Sequence, residues 1–398
     1  MGLALRSFLL VLCIFLGGCA PVQPPFSHAT SSPAEGQLFF ADGSPATLSA
    51  VVARAASCDY ILIGETHTIA CDHIVQAKLI AGLAEAGLPF SVGMEMFSVD
   101  RQKTLDAVNS RTISLAEFPE RADWSDAWGF SYSLYEPVIE ALYVHQLPLF
   151  ALNIPYELVE KIRDSGIDSL TPEERAYLPT VPIPPLAEQE EDLAKLHDEH
   201  VEMMAEDAEN PKATKVAKKS LAQYRKHFFL IQSLWDTKMA EEAVRIRKNT
   251  GLPVVILAGG GHVEHGWGIA HRLAQLDAGA KTVLIMPWRN RNPIEYDVAD
   301  IRFYCPLVKE SRLGFTLRME DGGTTITAVE KDSAADKAGF VVGDTIIKAG
   351  GMDVESLMTL HRAGVKAAKA KQDILFTIRR AGVERELSMP VPERPHKK

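Results

Sequence analysis

Short apolar runs punctuate the first three-quarters of the chain: Tyr60–Ile63, Phe90–Met94, Leu147–Leu152, Val254–Leu257 and Thr282–Met286. None alternates with polar residues. A strand with one wet face alternates and a strand covered on both faces does not, so these runs predict parallel strands inside an α/β sheet. Helical spacings lie between them, as over Ile74–Ala86 and Glu136–Val144. Gly87-Leu88-Pro89 and Gly251-Leu252-Pro253 each stop a helix and lead into the next strand. Leu178 to Pro185 is proline-rich and reads as a stiff extended connector.

Residues 187–248 depart from this rhythm. They are charged, lack strand signals and keep helical spacing, broken once at Asn210-Pro211. They predict a helical insertion over one edge of the sheet. After Pro306 the strands change character, with short runs at Phe315–Arg318, Thr325–Val329, Thr345–Ala349, Ile374–Arg379 and Glu386–Met389 and one helix over Val354–Ala370. The expected architecture is therefore α/β: a central, mostly parallel sheet over residues 41–305, then a small β-rich domain over 306–390 and a polar tail, 391–398.

The N-terminus adds an address. Arg6 precedes the apolar run Phe8–Leu16, which is too short to span a bilayer and suits a secretory signal over residues 1–18. The run ends in Leu16-Gly17-Gly18-Cys19, which resembles the lipobox of bacterial lipoproteins. That resemblance implies lipidation at Cys19 and anchoring in the cell envelope. Ala20 stands where an inner-membrane retention signal has Asp, which favours the outer membrane. Residues 19–40, rich in Pro, Ser and Ala, read as a tether. The formal net charge of −10 gives no basic footprint for nucleic acid. Cys58, Cys71 and Cys305 are too few and too far apart for a disulfide framework, although one pair, such as Cys58 with Cys71, fits an oxidising compartment.

Chemistry collects where the apolar runs stop. Tyr60–Ile63 delivers Glu65 and His67, Phe90–Met94 delivers Glu95, Leu147–Leu152 delivers Asn153, and Val254–Leu257 delivers Gly259-Gly260-Gly261-His262. In an open parallel sheet, ligands bind outside the carboxyl ends of the strands. Glu95, between Met94 and Met96, is expected to be buried and so to need a partner. The glycines permit close approach of backbone to a ligand or a positive φ. His73 opens the following helix, where it either faces the same crevice or caps the helix. The KLHDEH run carrying His197 and His200 reads as a solvated helical face. His-Glu-x-x-His, Walker and Gly-x-Ser-x-Gly motifs are absent.

GETH at Gly64–His67 and GGGH at Gly259–His262 resemble the paired Gly-x-x-His motifs of the Tiki/TraB/erythromycin-esterase superfamily. His73 and Gln76, GMEMF with Gln102, WSDAWG, Tyr135, ALNIPYELV and LWDTKMA follow the order of its ChaN branch, lipoproteins linked to haem and iron uptake. The resemblance spans about residues 50–290 and implies haem, with His67, His73, Tyr135, His227, His262 and His265 as candidate cofactor-binding residues. Trp124, Trp128, Tyr132 and Tyr156 are candidate walls for its plane. The wider superfamily implies a different activity: a hydrolase in which Glu65, His67, Glu95 and His262 hold a divalent ion such as Mn, Co or Zn, or in which a histidine acts as general base. The two readings, binding protein and enzyme, stay open here, as does a homodimer.

Arg312-Leu313-Gly314-Phe315 resembles the carboxylate-binding loop of PDZ domains, and DSAADKAGFVVGDTII resembles the segment that follows it in bacterial members. This implies a groove for a peptide C-terminus, or for an intramolecular partner, between strand Phe315–Arg318 and helix Val354–Ala370.

Overall fold

The computed structural model describes residues 33–206, 221–289, 297–311, 313–320, 323–354 and 357–390. The signal segment, Cys19, the first part of the tether, Asn210-Pro211, Arg312 and the polar tail lie outside the described residues.

An eight-stranded sheet is built from β1 (Leu38–Phe40), β2 (Pro45–Ala46), β3 (Tyr60–Glu65), β4 (Ser91–Ser98), β5 (Leu149–Asn153), β6 (Val254–Gly259), β7 (Thr282–Trp288) and β8 (Ile301–Tyr304). The order is β2-β1-β8-β7-β3-β6-β4-β5. The six strands from β8 to β5 run parallel, and β1 and β2 add an antiparallel edge. β6 enters between β3 and β4, so the carboxyl ends of these three strands lie side by side.

Each apolar run serves two cores because side chains alternate across a strand. Ile61, Ile63, Val255 and Leu257 face one core, with helices Leu48–Ala55, Ala70–Glu85 and Tyr132–Val144. Tyr60, Leu62, Val254, Ile256 and Ala258 face the other, with helices Leu221–Thr250 and Ile269–Leu276. The absence of alternation in the sequence is thus explained by two covered faces.

Two expectations are corrected in the helical segment. The segment predicted as an insertion over the sheet edge forms helices Ala187–Glu206 and Leu221–Thr250, and the second of these is a layer of the core. Its Met239, Ala240 and Ala243 are fully buried against the second face. Buried polar and charged residues of the same helix, among them Asp236, Thr237, Lys238 and Glu242, mask this burial in the sequence. In the first helix, His197 is buried rather than solvated, 2.9 Å from Asp198.

The C-terminal sheet contains β9 (Leu307–Glu310), β10 (Phe315–Glu320), β11 (Gly323–Val329), β12 (Thr345–Ala349), β13 (Met352–Asp353), β14 (Ile374–Arg380) and β15 (Val383–Met389), all pairings antiparallel. Its helix runs Leu357–Ala370. Phe315, Phe340, Phe376 and Ile378 form its core with Leu360 and Ala363.

The disulfide joins Cys71 to Cys305 across 234 residues of sequence, and Cys58 is free. The sequence leaves the pairing open, with Cys58 and Cys71 as one example. The fold instead brings the start of helix Ala70–Glu85 beside the end of β8.

Candidate functional site

Glu65 is the last residue of β3 and shares its parity with Ile61 and Ile63, so it hangs on the first face. Its Oε1 accepts a hydrogen bond from the Tyr135 hydroxyl at 2.6 Å and lies 2.7 Å from Nδ1 of His67. Its Oε2 lies 2.9 Å from Nδ1 of His73. Burial alone pushes this carboxyl up, but the hydrogen bonds from His67 and His73 prevail and hold it at about 2. Burial opposes the charged form of both imidazoles, yet Glu65 raises both above the ordinary histidine value. His73 therefore faces the crevice rather than capping its helix.

Glu95 has the opposite parity on β4 and hangs on the second face. Its Oε2 accepts from the Gly259 backbone N–H at 2.6 Å, and its Oε1 lies 3.5 Å from Nε2 of His262. On the far side of that ring, Asp236 Oδ1 lies 2.6 Å from Nδ1. Burial pushes the Glu95 carboxyl up, but the charge and hydrogen bond of His262, the charge of His67 and the Gly259 N–H together leave it lowered. Burial likewise opposes the His262 cation, but Glu95 and Asp236 carry that imidazole up to about 10. Asp236 is itself fully buried and accepts from Gln189 Nε2 at 3.0 Å, with Arg272 close by at 3.6 Å.

His67 stands between these two groups. Its negative neighbours are Glu65 and Glu95. A Cβ added at Gly259 would lie 2.8 Å from its Cε1 and 3.1 Å from its Nε2. Gly259 has a negative φ of −57°, so close approach, not backbone conformation, is what requires glycine there. The imidazole side chain is 29% exposed, and its ring packs on Trp128 at 4.8 Å and Phe130 at 5.0 Å.

The fold thus brings Glu65, His67, His73, Glu95 and His262 together at the carboxyl ends of β3, β4 and β6. It places the other candidates differently. Tyr135 is fully buried and its hydroxyl is committed to Glu65, so it supports the site from beneath. His227 lies 3.2 Å from the carbonyl of Arg163. His265 stacks on Trp267 at 4.0 Å and lies 3.5 Å from Asp297. Asn153 donates to the Glu95 carbonyl at 3.0 Å. The predicted four-ligand metal centre is not formed: no group of three or more His, Cys, Asp or Glu is arranged to hold a metal ion among the described residues. The carboxylates are turned toward imidazoles, a tyrosine and a backbone amide instead. Asp236 went unnoticed as a site residue in the sequence, although LWDTKMA carried it. A lone Asp on a charged helix gives no sign of burial.

A family model described as haem-binding uptake, Tiki superfamily, ChaN matches residues 51–273, which contain every residue of this cluster. The chain belongs to the ChaN family. A PDZ domain model matches residues 311–391. Among solved structures, a ChaN of Campylobacter jejuni described with cofacial haem is 18% identical, with a TM-score of 0.50, covering 67% of this chain and 95% of that one. At that identity the likeness speaks for the ChaN fold alone. An erythromycin esterase in its open conformation is 13% identical with a TM-score of 0.36, covering 74% of this chain and 84% of that one. No curated protein matches the sequence.

Proposed function

We propose that the ChaN domain binds haem beside His67 and that the protein serves haem or iron acquisition at the cell envelope. The observation that carries this reading is the state of His67. Its Nδ1 faces Glu65, which leaves Nε2 as the nitrogen directed away from the carboxylate. A carboxylate behind an imidazole fixes its tautomer and raises its basicity as a ligand. The half-buried Trp128 and Phe130 supply the apolar surface that a porphyrin plane needs. The bound haem would contribute the iron that accepts Nε2. The chain's own part is to hold that nitrogen in place and shield it. Adding haemin to the apo-protein is expected to give a Soret band that His67→Ala removes or displaces. Free-haem spectra at every protein concentration contradict the reading.

The lipobox-like Leu16-Gly17-Gly18-Cys19 supports attachment at the outer membrane through Cys19. Two acyl chains or more, at ~0.8 kcal/mol per buried CH₂, suffice for stable anchoring. Labelled palmitate incorporated by the wild type and lost in Cys19→Ser tests this. The PDZ domain is proposed to bind peptide C-termini.

A second reading rests on a different observation, the buried chain Asp236–His262–Glu95. An imidazole held between carboxylates is equipped for general acid–base work, and the superfamily includes esterases. This reading predicts ester hydrolysis that Asp236→Ala abolishes. A panel of esters, with and without added Mn, Co or Zn, distinguishes it from binding without turnover.

A further inference from the structure

A PDZ domain takes a peptide by adding it as a strand to an exposed sheet edge, while backbone N–H groups of the preceding loop receive the terminal carboxylate. The strand after the Leu313-Gly314-Phe315 loop is β10, and both its edges are already taken. β11 pairs with one edge, from Phe315 opposite Val329 to Glu320 opposite Gly323. β9 pairs with the other, with Thr316 opposite Glu310, Leu317 opposite Lys309, Arg318 opposite Val308 and Met319 opposite Leu307. The groove predicted between β10 and the helix therefore lacks a free strand edge.

The loop is closed as well. The Leu313 N–H donates to Ser311 Oγ at 3.1 Å and the Gly314 N–H to the Ser311 carbonyl at 3.0 Å. Two amides that would meet a carboxylate are thus spent on Ser311, the residue just after the covering strand.

The covering strand is also tied at its origin. It begins two residues after Cys305, which is bonded to Cys71 and whose carbonyl accepts from Arg289 at 2.9 Å. Arg318 of β10 is held in turn by an ion pair with Glu35. A short, anchored strand pays little entropy to stay in place, because one of its ends is already fixed.

We propose that Leu307–Glu310 is an autoinhibitory strap: it occupies the strand-addition edge of the PDZ domain, and a peptide C-terminus binds only after the strap leaves β10. This rests on the reading that the PDZ domain binds peptide C-termini. The rule follows from competition, since peptide affinity is reduced by the fraction of molecules whose edge is free.

The test uses the full chain and a display library of random heptapeptides with free carboxyl ends. The variant V308P/K309P removes an N–H from each of two neighbouring residues, whose amides point to opposite sides, so one ladder bond to β10 is lost whichever residue makes it. Peptides selected on the variant are expected to bind it at least tenfold tighter than the wild type. Hydrogen exchange of the wild type gives a second readout that needs no variant: saturating peptide should speed exchange at 307–310. Equal Kd for both chains, or bound peptide with exchange at 307–310 unchanged, overturns the strap and leaves peptide binding standing. If neither the wild type nor the variant selects any peptide, the peptide-binding reading is overturned, and the strap with it.

Discussion

Asp236 Oδ1 lies 2.6 Å from Nδ1 of His262, and both residues are buried. The carboxylate comes from the long helix Leu221–Thr250 and the imidazole from the turn after β6, so this contact fastens the helical layer to the strand ends. Asp236→Asn keeps the shape and removes the charge that balances His262 and Arg272. Breaking a buried pair from one side costs about 3–5 kcal/mol. We predict a large fall in Tm and, by NMR titration, a His262 pKa below its wild-type value of about 10. An unchanged His262 titration removes Asp236 from the site.

Gly259→Ala tests the close packing around His67. The new methyl would lie 2.8 Å from Cε1 of His67 and 3.5 Å from Oε2 of Glu95. His67 is restrained by Glu65 on one side and by Trp128 and Phe130 on another, so the ring must rotate off its hydrogen bond. Overpacking of this kind costs about 1–3 kcal/mol. We predict haemin affinity at least about tenfold weaker, equivalent to about 1.4 kcal/mol. Wild-type affinity in a folded Gly259→Ala protein contradicts the placement of ligand beside Nε2.

Stability should depend on pH through the same residues. The Glu65 carboxyl is lowered from 4.5 to about 2, so its contribution is complete above about 4.5 and lost as pH falls through 2. That gap corresponds to on the order of 3 kcal/mol. His262 is raised from 6.5 to about 10, so its contribution is complete below 6.5 and lost as pH rises through 10. Both are fully present only between about 4.5 and 6.5. In Glu65→Gln, Tm should vary less than wild type between pH 4.5 and 2, as read by thermal scans across that range. Parallel acid limbs contradict the assignment.

The Cys71–Cys305 disulfide closes a separation of 234 residues. A native bridge of this kind contributes about 2–5 kcal/mol. Cys305→Ser should lower Tm by several degrees, and Cys58→Ser should leave it within error. The reverse pattern contradicts the pairing.

Much of this architecture was legible in the sequence. Apolar runs without alternation located five of the six parallel strands, and the residues just after them located Glu65, His67, Glu95 and His262. What remained hidden depended on distance in space. Helix Leu221–Thr250 buries polar and charged residues such as Asp236, Lys238 and Glu242 along with its apolar ones, so its polar character concealed both its place in the core and Asp236. Tyr135 stands in the family pattern, but only the fold shows its hydroxyl bound to Glu65. His227 and His265 carry the right chemistry in the wrong directions. β9 is four residues with two charges, and only its pairing with β10 reveals it.

In the proposed function, His67 offers Nε2 to a haem at the carboxyl ends of β3, β4 and β6. A haemin titration of wild type, His67→Ala, His227→Ala and His265→Ala, followed at the Soret band with Tm measured alongside, tests it most directly. We predict that His67→Ala alone loses or displaces the band while all four proteins stay folded. An unaltered band in His67→Ala contradicts it.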